Sequence, residues 1–215
     1  MASFKIAYSD VEEWIGIYHE HAVPTLQQLQ EEGVITGWAV WQHSTGGEYN
    51  WSFAILAEQW DKYDQFWREY LGRLEERSAD ASARWNAMIQ AHEDEIWNIT
   101  SQHFSDPAPE DAYLYEALFQ VGYDDLDEWN RYWSESVTPI LDQAMEDGLL
   151  GAWVILGHNT GGRYNWRILY FFEEWDDMDD LFELVLGQIP SDAAIWQQIQ
   201  AHDDVIWAAV PDPAE

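Results

Sequence analysis

The segment HSTGGEYNW at residues 43–51 returns almost unchanged as HNTGGRYNW at residues 158–166. A shift of 115 positions (158 minus 43) aligns the two segments. With the shift reduced to 110 (199 minus 89), IQAHEDEIW at 89–97 matches IQAHDDVIW at 199–207. Internal similarity at a fixed spacing is the signature of a duplicated structural unit. The sequence therefore predicts two copies of one fold in a single chain.

The limits of the copies follow from where the similarity stops. Residues 1–100 form the first α+β repeat and residues 113–210 the second. Residues 101–112, SQHFSDPAPEDA, are polar and contain two prolines, which suits a linker. Residues 211–215 are predicted to be a tail.

Each copy has the pattern of short strands and amphipathic helices in the order β-α-β-β-α-α. The hairpin strands are apolar on both faces, which is typical of strands that are covered on both sides. In the first copy we predict a strand at 3–8, a helix from Asp10 interrupted at Pro24, strands at 34–43 and 48–58, and helices at about 60–71 and 83–98.

This order resembles the ferredoxin-like α+β unit. The whole chain resembles the dimeric α+β barrel superfamily, with two tandem copies fused as an intramolecular pseudo-dimer. The resemblance rests on three motifs, which are similar to those of uncharacterised bacterial members: the Trp…Pro helix, Gly33-x-x-x-x-Trp38 and the Gly46-Gly47-x-Tyr-Asn hairpin. The superfamily includes cofactor-free monooxygenases, haem-dependent enzymes and members without a known reaction. No catalytic motif of the superfamily matches residue by residue.

The charge is extreme: 41 acidic against 9 basic residues give a formal charge of −32, and there is no cysteine. The composition excludes a disulfide scaffold, a Cys-ligated metal site and a protein that binds nucleic acid by neutralising phosphate. Such acidity is similar to that of proteins from halophiles that accumulate salt. The alternative is an acidic surface that binds a basic partner or mimics DNA.

The sequence also bears on the location of the protein and on its partners. The start, MASFKIAYSD, does not have the pattern of a signal peptide, and no apolar stretch approaches the ~20 residues of a spanning helix. We expect a cytoplasmic monomer or homodimer that contacts neither membrane nor nucleic acid.

The hairpins also predict a candidate site, since strand alternation places polar side chains on one face. A four-residue STGG loop would set His43 opposite Glu48 and Trp41 opposite Asn50. The resulting polar faces are His43, Asn50 and Ser52 in the first copy and His158, Arg163, Asn165 and Arg167 in the second.

Two interpretations of these residues stay open. In the functional one, His158, Asn165 and Arg167 are catalytic, and His43, Asn50, Ser52 and Arg163 bind a small apolar ligand. In the structural one, Thr-Gly-Gly is retained for the turn, Asn satisfies hairpin backbone and His caps the strand end. The arginines favour the second copy if only one site exists.

The leading function is therefore the binding of a small apolar or aromatic molecule, with oxidation without a cofactor or metal as its extension. One alternative is a non-enzymatic protein with a filled core, in which recurring tryptophans such as Trp14 and Trp51 are core residues. Another is a haem or metal enzyme that uses His92 or His202. Both histidines are expected on the apolar face of the last helix, where a buried neutral imidazole with one partner is the simpler explanation. Whether the chain is an enzyme is left open.

Overall fold

The computed structural model describes residues 1–107, 112–190 and 192–210. It divides into two units: residues 1–42, 48–94 and Val210 form unit 1, and residues 43–47 and 95–209 form unit 2. The predicted tail and residues 108–111 of the predicted linker lie outside the described residues.

Unit 1 has an antiparallel sheet with the strand order β4-β1-β3-β2. Its helices pack on one face around a core that includes Leu26, Leu29 and Phe66. The elements are β1 (Ala2–Ile6), α1 (Val11–Ile17), α2 (Val23–Glu31), β2 (Gly37–Thr45, with its last three residues in unit 2), β3 (Trp51–Leu56), α3 (Trp60–Arg77), α4 (Ala79–Met88) and β4 (Ile89–Asp94).

Unit 2 repeats this order as β9-β6-β8-β7 and adds β5 beside β7. Trp129, Leu141 and Leu181 are fully buried in its core. The elements are β5 (Ile96–Phe104), β6 (Tyr113–Val121), α5 (Leu126–Tyr132), α6 (Thr138–Glu146), β7 (Ala152–Thr160), β8 (Trp166–Phe172), α7 (Trp175–Gln188), a 3-10 helix (Ala194–Gln198) and β9 (Ile199–Ala209).

The predicted last helix at 83–98 is wrong beyond Met88. Residues 89–94 form β4, which pairs antiparallel with β1, and β5 starts at Ile96. In the second copy, β9 likewise pairs with β6. Apolar residues three and four apart suggested a helix, but the free edge of the first strand offers backbone hydrogen bonds that outweigh local periodicity. Strand β5 also runs through Phe104, four residues into the predicted linker.

The predicted interruption at Pro24 takes the form of a single π-helical turn. Tyr18–Ala22 are π-helical between α1 and α2, and Trp133–Val137 are π-helical between α5 and α6. Proline cannot donate the hydrogen bond that a regular helix requires, and the wider turn accommodates that loss. The turn carries Tyr18 in unit 1 and Trp133 in unit 2, both buried.

Candidate functional site

The predicted asparagines bond to strand backbone. Val121 N donates to Asn165 Oδ1 (2.9 Å), and Asn165 Nδ2 donates to Val121 O (2.7 Å). Asn50 makes the same pair of bonds with Ile6, each 2.8 Å long. The β6–β9 and β1–β4 ladders shift register at these residues, so their backbone groups need other partners. Both amides therefore bond to backbone, as the structural interpretation expects, but their partners lie on β1 and β6 rather than in the hairpins.

The predicted histidines cap the hairpin loops. His158 Nε2 donates to Gly161 O (2.6 Å), and His43 Nε2 donates to Gly46 O (2.5 Å). Because a carbonyl oxygen can only accept, the neutral form of each imidazole in this bond is the Nε2–H tautomer, with Nδ1 as its acceptor. The four loop glycines have φ angles between 62° and 87°, which residues with a Cβ rarely adopt.

Arg167 lies in a buried cluster of charges in unit 2, which we call the ion triad: Glu95, Glu116 and Arg167. Its side chain is only 4% exposed and lies between the two carboxylates. Arg167 Nη1 is 2.8 Å from Glu116 Oε1, and Nη2 bonds to Glu95 Oε2. The guanidinium carbon lies 4.3 Å from the centre of the Trp97 ring, and Trp207 Nε1 donates to Glu116 Oε2 (2.8 Å). The protein's own carboxylates thus hold the guanidinium.

The sequence does not repeat the three residues of the triad at the equivalent positions of the other copy. The positions that correspond to Glu95, Glu116 and Arg167 in the repeat hold Val205, Met1 and Ser52. Ser52 is fully buried, and within the described part of the chain its hydroxyl has no hydrogen-bond partner. The two copies therefore differ where the sequence predicted that they would.

The structure brings some predicted residues together. His158 N donates to Asn165 O (3.1 Å) across the hairpin. The Trp97 ring contacts both the His158 ring, with centroids 5.5 Å apart, and the Arg167 guanidinium. Arg163 stacks instead on Tyr164, 4.5 Å from its ring centre.

Sequence reasoning missed Trp97, Glu95 and Glu116 as members of this cluster. One signal was available: Glu116 is the single charge in the apolar strand YLYEALFQV, and a lone charge at a buried position needs a partner. Glu95 gave no such signal, because its segment was assigned to a helix.

His92 and His202 are on strands, which corrects their predicted place on a helix. Both imidazoles are also substantially exposed, which corrects the expected burial. His92 Nε2 lies 3.2 Å from Asp94 Oδ2, and His202 Nε2 lies 2.9 Å from Asp204 Oδ1. In the parts of the chain that the structure describes, no group of three or more His, Asp or Glu side chains could hold a metal ion.

A cavity of about 120 Å³ lies in unit 1, between the sheet and the helices. Leu71, Leu74, Ser82, Asn86 and Ile89 complete a wall that is mainly aromatic. We call this the aromatic pocket and define it by its eight aromatic residues: Phe4, Trp14, Tyr18, Trp51, Phe53, Trp67, Tyr70 and Trp85.

The phenols of the pocket stay protonated. Burial raises the pKa of Tyr18, against a hydrogen bond from Trp38 that lowers it. Burial also raises the pKa of Tyr70, and the nearby Tyr18 adds to the effect. The pocket is thus uncharged and apolar, with few polar atoms, which is the usual character of a small-molecule site.

The equivalent region of unit 2 is lined differently. Trp133 stands in place of Tyr18, and its ring centroid is 4.4 Å from that of Trp166. Phe182 stands in place of Trp67 and Val185 in place of Tyr70. The larger indole packs against the sheet where unit 1 has a phenol.

No protein-family model matches the sequence, and neither does any curated protein sequence. Among the described parts of the chain, no helix is long and apolar enough to cross a membrane.

Several solved structures resemble nearly the whole chain. A candidate monooxygenase from Lactobacillus acidophilus NCFM matches with a TM-score of 0.60 and 11% identity, over 98% of this chain and 97% of that one. An anthrone oxidase-like protein matches with a TM-score of 0.56 and 12% identity, over 98% of this chain and 89% of that one. A mutant chlorite dismutase from Candidatus Nitrospira defluvii matches with a TM-score of 0.57 and 9% identity, over 98% of this chain and 89% of that one. Identities this low show the fold alone, and the matches confirm the predicted ferredoxin-like α+β fold.

Proposed function

We propose that the protein binds a small, mainly apolar organic molecule in the aromatic pocket of unit 1. The observation that carries the proposal is the cavity itself, an uncharged space of about 120 Å³ walled by eight aromatic side chains. Packed protein interiors leave few voids larger than a water molecule. The pocket is partly open to solvent, with Leu71 and Asn86 exposed at its edge, so a ligand can enter it.

The volume limits the ligand to a group about as large as one aromatic ring. An apolar engineered cavity of roughly 150 Å³ accepts benzene. A fused multi-ring compound needs the several hundred Å³ typical of larger ligand sites. The ligand, or the part of it that enters the pocket, is therefore compact.

Oxidation of a bound aromatic compound is the second candidate function. It is supported by the names of two structures that share the fold, a candidate monooxygenase and an anthrone oxidase-like protein. The catalytic role of His158, Asn165 and Arg167, and ligand binding by His43, Asn50, Ser52 and Arg163, stay predictions. The backbone bonds of both asparagines and both histidines favour their structural interpretation.

We also propose that the protein is adapted to molar salt and acts in the cytoplasm as a monomer or homodimer. The charge of −32 supports the first point, because such self-repulsion destabilises a compact chain in dilute buffer.

Titration with toluene, followed by calorimetry and tryptophan fluorescence, tests the binding proposal. We expect saturable binding to the wild type and its loss in Tyr18→Trp, which introduces the residue that unit 2 has at this position. The matched control is Trp133→Tyr, which should leave binding unchanged. Equal binding by wild type and Tyr18→Trp would place the ligand elsewhere.

A further inference from the structure

We propose that the aromatic pocket receives a trimethylammonium group, so that its ligand is a quaternary ammonium compound. This inference rests on the proposed function of the pocket as a binding site and names the chemical class of its ligand.

The first argument is the arrangement of the rings. Neighbouring rings around the pocket meet at steep angles: 74° between Trp14 and Trp51, 72° between Tyr18 and Trp51, and 75° between Trp67 and Tyr70. Trp14 and Trp85 meet at 60°. Phe53 and Tyr70 are the exception, with ring planes only 22° apart. A wall made mainly of mutually inclined rings suits a compact group that is contacted from several sides.

The second argument is the chemistry of the wall. The wall contains four indoles and two phenols, the ring types whose faces attract cations most strongly. Among the described residues that line the pocket, none is charged, so no fixed cation repels the ligand. The wall contains no carboxylate either, so a cationic ligand would contact rings rather than form an ion pair.

The third argument separates a methylated ammonium from a primary one. A primary ammonium has three N–H donors and loses hydration unless each finds an acceptor. The only side-chain acceptors in the wall are Ser82, Asn86 and the phenols. The indole N–H groups, of which those of Trp14 and Trp85 are buried and lack a partner among the described residues, are donors and cannot accept from an ammonium. A trimethylammonium group has no N–H donor, presents methyl groups to the rings and still carries its positive charge.

The net charge of the chain also favours a cationic ligand. In dilute buffer a formal charge of −32 attracts cations to the protein, and at 1 M salt screening shortens the range of this attraction to about 3 Å. Unit 2 lacks part of the wall, because Phe182 and Val185 replace an indole and a phenol. We therefore assign the site to unit 1.

The decisive comparison is between choline and 3,3-dimethyl-1-butanol, which has the same shape but no charge. Calorimetric titrations at one fixed KCl concentration should show choline binding about tenfold more tightly or better. If the alcohol binds as tightly as choline, the trimethylammonium assignment is overturned while the apolar binding site stands. If neither choline, the alcohol nor toluene binds, the proposed function fails as well.

A second measurement varies the rings without changing their shape. Protein in which every tryptophan is replaced by 5-fluorotryptophan has weaker ring faces, so choline should bind several-fold less tightly and the alcohol should not. Trp67→Leu should reduce choline affinity in the same way, whereas the matched Phe182→Leu in unit 2 should not. An unchanged choline affinity in both the fluorinated protein and Trp67→Leu would overturn the assignment.

The trimethylammonium group can come from a free small molecule or from a trimethylated lysine. A titration with N-acetyl-trimethyllysine amide separates the two sources. Tighter binding than choline assigns the group to a modified side chain, and weaker binding assigns it to a free metabolite.

Discussion

Glu95 lies directly against the α-carbon of Gly162 in unit 2, so closely that a Cβ at Gly162 would overlap the carboxylate. At Gly47, the corresponding glycine of the first hairpin, a built Cβ lies 3.2 Å from Val205 Cγ2, which is a tight contact rather than an overlap. Glu95 and Val205 occupy equivalent positions in the repeat. The positive φ therefore favours glycine at the second position of both Thr-Gly-Gly turns, and at Gly162 the Glu95 carboxylate adds a steric limit.

Gly162→Ala should destabilise the protein by about 2–4 kcal/mol, because it adds a collision with the triad to the cost of a positive φ. Gly148→Ala is the matched control: its φ is also positive (77°), but a Cβ there meets nothing within 4 Å. We expect that control to cost about 1 kcal/mol. Urea unfolding measures both, and equal losses would show that the approach of Glu95 has no energetic weight.

Arg167→Met should destabilise the protein by about 3–5 kcal/mol, because it leaves Glu95 and Glu116 buried without their cation. The triple variant Glu95→Gln, Glu116→Gln, Arg167→Met removes every charge at similar volume. It should recover much of that loss, which chemical denaturation would measure. If the triple variant were the less stable of the two, the carboxylates would not be the source of the cost.

Asn165→Ala should destabilise by about 2–4 kcal/mol, since it leaves the buried N–H and C=O of Val121 without their partner. Thermal unfolding measures the loss, with Asn159→Ala as an exposed control in the same hairpin. An unchanged melting temperature together with lost ligand binding would instead support the catalytic interpretation of Asn165.

The melting temperature should rise steeply with KCl. Screening shortens the range of repulsion from about 10 Å at 0.1 M to about 3 Å at 1 M salt, and the chain carries a charge of −32. We expect unfolding or marginal stability at low salt, measured by circular dichroism. Sucrose at equal osmolality controls for general solvent effects. Full stability in dilute buffer would refute the adaptation to salt.

The pH dependence of His202 provides a further test. The hydrogen bond to Asp204 raises the pKa of His202, with burial opposing the shift and the charges of Asp204 and Asp203 supporting it. A raised pKa in the folded state means that the pair stabilises fully below the unfolded value of about 6.5 and loses this effect as the pH rises through the folded value. The imidazole is 40% exposed, so solvent screening keeps the contribution small.

Asp204→Asn should lower the pKa of His202 toward its ordinary value, as NMR titration of the imidazole would show. The amide oxygen still accepts the bond from the Tyr115 hydroxyl, which is 2.5 Å from Asp204 Oδ1. An unchanged titration of His202 in this variant would exclude Asp204 as the cause.

In the β2–β3 hairpin, the sequence pattern predicted the faces of the strands but not their register. The predicted register set Trp41 opposite Asn50, whereas the structure pairs Trp41 with Ser52. The loop is thus two residues longer than predicted. A two-residue shift leaves every side chain on its predicted face, because strand alternation has a period of two. The sides of the sheet were therefore predicted correctly although the pairs were not.

The sequence by itself determined the α+β class, the faces of the hairpins and the difference between the copies at Ser52 and Arg167. These features follow from residue periodicity and turn chemistry, which act over a few neighbouring residues. Tertiary structure alone decided that residues 89–104 are strands, that Glu95 and Glu116 hold Arg167, and that an aromatic pocket lies in unit 1. Each of these depends on which distant segments pair and on how bulky side chains pack between them. Local residue patterns predict neither.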